Sequence, residues 1–138
     1  MSARANFIVS GNEEGKPAPL QGIFAIDSTE AIRTMRIFRT KHYEDWFLRL
    51  KDYAGRTAIN RRLVRMEQGN PGNVRSVGSG VMEMKIDCGP GYRVYYIQQA
   101  EVAVILLRGG DKSSQGRDIA LAKELATHQE VQALWHSI

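Results

Sequence analysis

"VMEMKIDCGPGYRVYYIQ", Val81 to Gln98, decides the fold. In its first half Met82, Met84 and Ile86 fall on one side of an extended chain and Val81, Glu83, Lys85 and Asp87 on the other. That period of two marks a half-buried strand. "CGPG" is turn chemistry, and "YRVYYIQ" is built of residues that prefer strands. The stretch therefore predicts an antiparallel hairpin. Just downstream, "EVAVILL" is apolar at every position from Val102 to Leu107. Such a run predicts a third strand covered on both faces, hence central in its sheet.

Working outward, "MRIFRT", Met35 to Thr40, reads as a short strand. Tyr43, Trp46, Phe47 and Leu50 then fall at i, i+3, i+4 and i+7, the stripe of an amphipathic helix. Thr40 is placed to cap it, and Glu44 and Asp45 favour its dipole. A second helix is predicted from Gly55 to Gln68, with Ile59, Leu63 and Met66 inward and Arg61, Arg62 and Arg65 outward. "GNPGN", Gly69 to Asn73, ends it. The closing helix starts near Ser113 or Ser114 and runs through Ile119, Ala122, Leu125 and Ala126. The order is strand, helical hairpin, three strands, helix. It predicts an α+β fold: a twisted antiparallel sheet, an N-terminal helical hairpin on one face, and a C-terminal helix.

The segment "LLRGGDKSSQGRDIA", Leu106 to Ala120, has the outline of a phosphate-binding loop. The spacing rejects a nucleotide. A P-loop needs glycines six residues and one residue before its lysine, and Lys112 has Leu106 and Asp111 there. Gly109 and Gly110 are adjacent, which also excludes the dinucleotide pattern. Lys112 is left as a cation awaiting some other phosphate.

At 138 residues the chain is one domain with room for a core, and no apolar run approaches a membrane span. The single Cys88 forms no internal disulfide and suggests no metal-ligand spacing. No signal-peptide core precedes "SGNEEGKPAP", so a cytoplasmic protein is expected. Residues 1–34 show turn and linker chemistry and read as a peripheral extension, with an optional added strand at Phe7–Val9 or Gln21–Ile26. Charge is concentrated: positions 36–75 hold ten basic and four acidic side chains. Such clustering points to a polyanion, nucleic acid being the commonest. A merely soluble basic surface explains the charge equally well.

The element order, with "LKDYAGRTAINRRLVRMEQGNPGNV", "GVMEMKIDCGPGYRVYY" and "ILLRGGDKSSQGRDIALAK", resembles the RelE/ParE toxin superfamily. It is most similar to the phage-derived Gp49-like (HigB-type) addiction-module killer proteins. The likeness covers residues 35–126; residues 1–34 and residues 127–138, a C-terminal tail or helix extension, lie outside it. The resemblance implies the toxin of a type II toxin–antitoxin module. Its partner would be a helix-turn-helix antitoxin, and its target mRNA on the ribosome, cut without metal or cofactor. Relatives of the ParE type share the fold and inhibit DNA gyrase instead.

Metal-free RNA cleavage requires deprotonation of the 2′-OH, neutralisation of charge at phosphorus and protonation of the leaving 5′-oxygen; preorganised cations supply the second. The resemblance places a phosphate-contacting arginine at Arg93 and a second cation at Lys112. Lys85 lies on the polar face of the neighbouring strand, alongside Glu83, so three cations from adjacent strands are placed to converge on one phosphate. Lys85 or Lys112, held among other cations, is a candidate general base, with Glu83 the alternative. His42, His128 and His136 lie outside the strand cluster. Arg61, Arg65, Arg75 and Arg108 are candidate RNA-phosphate contacts, Gln115 and Arg117 candidate nucleotide contacts, and Tyr95 a candidate base-stacking ring. Each has a bland counterpart. An arginine on a strand is commonly solvated or ion-paired, a tyrosine in the core, and a charged helix face simply wet. Two other functions share these residues: a gyrase inhibitor, and a harmless nucleic-acid-binding regulator.

Overall fold

The computed structural model describes residues 7–9 and 34–138. Among these, six strands form one mixed sheet and four α-helices cover it. In chain order the elements are β1 (Phe7–Val9), β2 (Arg36–Thr40), α1 (Lys41–Arg49), α2 (Tyr53–Glu67), β3 (Val74–Gly78), β4 (Val81–Ile86), β5 (Tyr92–Gln99) and β6 (Ala103–Asp111). A 3-10 turn at Lys112–Ser114 then leads into α3 (Gln115–Ala126) and α4 (Gln129–Ser137).

The strand order is β1-β2-β6-β5-β4-β3. Strands β3 to β6 form the expected antiparallel meander, with Lys85 opposite Arg93 and Glu83 opposite Tyr95. The expectation of a wholly antiparallel sheet is corrected by β2, which lies parallel to β6 with Ile37 opposite Val104. β1 pairs antiparallel with β2, so part of the N-terminal extension adds an edge strand. The strand suggested at Gln21–Ile26 lies outside the described residues.

Helices occupy both faces, where only one was expected to be covered by the hairpin. Tyr43 of α1 and Ile59, Leu63 and Met66 of α2 bury Ile37, Met84, Ile86, Val94, Val104 and Leu106. On the other face, Ala122, Leu125 and Ala126 of α3 and Val131 of α4 bury Phe38, Val81, Tyr95, Ile97, Ile105 and Leu107. The two sides of β4, β5 and β6 thus both read as core, and β4 is not half-buried as its alternation suggested. The tail beyond residue 126 becomes a helix because Val131, Leu134 and Trp135 find apolar surface there.

Local chemistry explains the joints. Thr40 Oγ1 accepts the N–H of Tyr43 at 3.2 Å, starting α1 as predicted, and donates to the Leu107 carbonyl at 3.0 Å. Asp52 caps α2 by accepting from Gly55 N–H at 3.0 Å and accepts the Tyr92 hydroxyl at 2.7 Å. Arg62 turns away from the outward arginine face: its guanidinium donates to the carbonyls of Lys85 and Pro71 at 2.5 and 2.7 Å. It thereby ties α2 to the "GNPGN" loop and to β4.

Gly109 and Gly110 are strand residues rather than loop residues. Between Tyr95 and Tyr96 the β5–β6 register shifts, leaving Leu107 as an extra residue. The bulge sets the facing of everything beyond it. A side chain at Gly109 would overlap the Trp46 indole, and one at Gly110 the Asp118 carboxylate. The glycines let α1 and α3 approach the sheet from opposite sides. Gly109→Ala is therefore expected to cost ~1–3 kcal/mol through overpacking. Urea unfolding should show a lowered midpoint with an unchanged slope.

Candidate functional site

Past the bulge, the face of the sheet under α3 becomes polar. Cross-strand partners share a face, so Glu83, Lys85, Arg93, Tyr95, Arg108 and Gly110 line one side. At its centre Glu83 is buried, with 3% of its surface exposed. Its Oε1 accepts from Arg75 Nε at 2.7 Å; its Oε2 accepts from Gln115 Nε2 at 2.7 Å and the Tyr95 hydroxyl at 3.0 Å. Arg93 Nε lies 3.7 Å from the same oxygen. Burial pushes the Glu83 pKa up, but these three hydrogen bonds and the charge of Arg75 outweigh it and hold the carboxyl below its ordinary value.

A second pair, with a buried carboxylate, lies alongside. Asp118 of α3 meets Arg108 Nη2 at 2.9 Å and accepts the Ser114 hydroxyl at 2.5 Å. The stripe Asp118, Ala122, Leu125 places a carboxylate among apolar helix positions. That misfit is the sequence signal for this pair.

These contacts bear on what several candidate residues can reach. Glu83 is unsuited to be a general base, because both oxygens are occupied and its basicity is reduced. Tyr95 has no exposed surface, so its ring offers no stacking platform; burial first, and the Glu83 bond second, push its hydroxyl pKa well above the usual value. Gln115 spends its amide on Glu83, and Arg108 is engaged with Asp118. Arg93 is 6% exposed, not projecting from a wet face; its Nη1 donates to the Gly91 carbonyl at 3.0 Å. Arg75 remains open to solvent beyond its bond to Glu83. Arg61 and Arg65 are exposed on α2, across the sheet from this cluster.

Exposed cations gather at the rim. Lys85 stands opposite Arg93 in the ladder, 44% exposed, with Asp87 at 3.8 Å. Lys112 is exposed in the 3-10 turn, and its Cβ lies against Gly91, whose carbonyl holds Arg93. Asp111, just before it, has its carboxylate turned to the N–H and hydroxyl of Ser113, at 2.8 and 2.5 Å. Those bonds hold its pKa below the usual range. One end of the sheet thus joins Lys85, Lys112 and the edge of Arg93 around the β4–β5 turn. Gly89 and Gly91 take φ of 55° and 85° there, which a β-branched residue resists.

A Haemophilus influenzae protein described as uncharacterized is 46% identical to this chain over 93 residues, 67% of this chain and 94% of that protein. The chain belongs to the same family as that protein. It matches no protein-family model and no solved structure. No helix among the described residues is long and apolar enough to cross a membrane.

The depressed Glu83 pKa fixes a pH dependence. A carboxyl more acidic in the folded state stabilises fully above its unfolded value, near 4.5, and loses that contribution as pH falls through its folded value. Wild-type stability should therefore fall steeply below about pH 4.5, where Glu83→Gln should have a shallower profile. At neutral pH the same variant should be ~3 kcal/mol less stable, since the buried Arg93 loses its counter-charge. Chemical denaturation from pH 3 to 7 measures both; parallel profiles would show that Glu83 is not the group responsible.

Proposed function

We propose that the chain is the toxin of a type II toxin–antitoxin module with a RelE/ParE-like fold, acting as a metal-independent, ribosome-dependent mRNA endoribonuclease. The observation that carries this reading is the cationic rim, where Lys85, Arg93 and Lys112 come from two adjacent strands and the turn after a third. Such a rim suits a phosphodiester. Lys112 and Lys85 are the exposed ammoniums that can touch a phosphate oxygen. Arg93, seated behind them on Glu83 and Gly91, sets the field they act in and presents its remaining N–H groups from a fixed position.

The chemistry needs charge neutralised at phosphorus, and cations held in place before the reaction do this without reorganising. In this reading Lys112 and Lys85 contact the scissile phosphate, and the 2′-OH proton leaves to water. The leaving 5′-oxygen receives its proton from the rim or from water. The basic face of α2, with Arg61 and Arg65, then serves ribosomal RNA on the opposite side of the molecule. The implied antitoxin carries a helix-turn-helix domain and neutralises the toxin by covering the rim.

Induction of the full chain in a bacterial host should halt growth within a generation, with transcripts cut and DNA intact. DNA double-strand breaks with intact transcripts would replace this reading by a gyrase inhibitor, and undisturbed growth with folded protein by a harmless binder. In single-turnover cleavage of mRNA on purified ribosomes, Lys112→Ala should lose ~10²-fold in rate with an unchanged fold. Arg93→Ala should lose both rate and stability, because it also uncovers Glu83. A Lys112→Ala enzyme cutting at the wild-type rate would remove that lysine from the mechanism.

A further inference from the structure

The joint between α1 and α2 carries a feature that none of the site's chemistry uses. Tyr53, the first residue of α2, is 76% exposed, the most exposed of the large hydrophobic side chains among the described residues. The Arg56 guanidinium lies 5.7 Å from its ring centroid and 5.0 Å from that of Phe47. One face of the tyrosine is thus braced by a cation, and no other aromatic ring among the described residues stacks on it.

The surroundings are cationic. "RLKDYAGR", Arg49 to Arg56, holds Arg49, Lys51 and Arg56 against the single carboxylate Asp52. Among the described residues no acid pairs with those three cations. Asp52 is turned inward, accepting from Gly55 N–H and the Tyr92 hydroxyl, which hold its pKa below the usual range. Asp52 stays charged, but its oxygens are engaged by the protein's own donors and the three cations outnumber it.

Position links this surface to the cationic rim. Asp52 holds Tyr92, and Tyr92 is the ladder partner of Asp111, the residue before Lys112. Gly55 packs against the Tyr92 ring so closely that a Cβ there would lie 2.5 Å from it. The joint is therefore fastened to the same end of the sheet as the rim.

We infer that Tyr53 is a base-stacking platform for single-stranded RNA, with Arg49, Lys51 and Arg56 holding the flanking phosphates. The ring stacks on an unpaired base, while Arg56 stiffens the ring from behind and neutralises the backbone. An exposed aromatic interleaved with unpaired cations is the arrangement by which proteins hold single strands without reading sequence. The occupant must be single-stranded, since a duplex keeps its base faces covered by their neighbours. The inference rests on the proposed RNA-directed function and assigns it a subsite a few nucleotides from the cleaved bond.

The test uses the purified full chain and a fluorescently labelled single-stranded RNA of ten nucleotides, read by anisotropy across a salt series. Tyr53→Ala should weaken binding ~5- to 100-fold, while Tyr53→Phe retains wild-type affinity. The salt slope should be unchanged in Tyr53→Ala and shallower in Arg56→Ala, because only the second removes a phosphate contact. Duplex RNA should bind both tyrosine variants alike. Equal single-strand affinity of Tyr53→Ala and wild type, or an equal loss on duplex, overturns the subsite. If that happens while the wild type still cleaves transcripts, the subsite alone has failed. Tyr53-dependent binding by a protein that never cleaves would leave the subsite standing and the nuclease reading refuted.

Discussion

A buried carboxylate organises this molecule. Glu83 receives Arg75 from the edge strand β3, Tyr95 from the next strand β5 and Gln115 from the first turn of α3. One side chain thus fastens three strands and a helix. An ionised group placed there alone would be strongly destabilising; it is tolerated because three hydrogen bonds and the nearby charge of Arg93 meet it. The same convergence makes each donor dependent on the others. Arg93 in particular is a cation that remains in the interior only because Glu83 is negative beside it. The position of the cationic rim follows from this network.

The two glycines of β6 are the steric counterpart of that electrostatic centre. Gly109 admits Trp46 from one layer, and Gly110 admits Asp118 from the other. As neighbours on a strand they face opposite sides; the bulge at Leu107 decides which side each takes and turns Arg108 toward α3. A motif whose spelling suggests a loop for phosphate is a place where two helices press on a sheet. What faces solvent after it is Lys112, delivered to the rim by the strand's end.

Local patterns made much of this readable. The hairpin at Val81–Gln98, the Thr40 cap, the stripe Ile59–Leu63–Met66 and the apolar run of β6 each depend on neighbours within a few residues. The parallel pairing of β2 with β6 depends on residues 67 positions apart, as the Thr40–Leu107 bond shows, and no local period encodes it. β3 escaped notice because "VRSVG" is an edge with no buried side chain and therefore no alternation to detect. Of the site, the shared face of Glu83, Lys85 and Arg93 was legible from the period of two. Its burial was not, because alternation assigns a residue to a face without saying what covers that face. The cover is α3, and its Gln115 and Asp118 turn a surface cluster into an internal one.

That distinction changes what each cation is for. A guanidinium nine-tenths enclosed has little freedom to follow a substrate, but its charge is poorly screened and its direction is set by Glu83 and Gly91. The exposed ammoniums of Lys85 and Lys112 have the opposite properties, mobile and well hydrated. Placed together at one end of the sheet, the buried cation supplies a fixed field and the exposed ones supply reach. For the phosphodiester proposed above, the two kinds of cation are complementary. Arg61 and Arg65, exposed on the opposite layer, are too far from this field to share its work. Their contribution to any polyanion is therefore ordinary screened attraction, sensitive to salt, whereas the rim retains part of its potential when salt is raised.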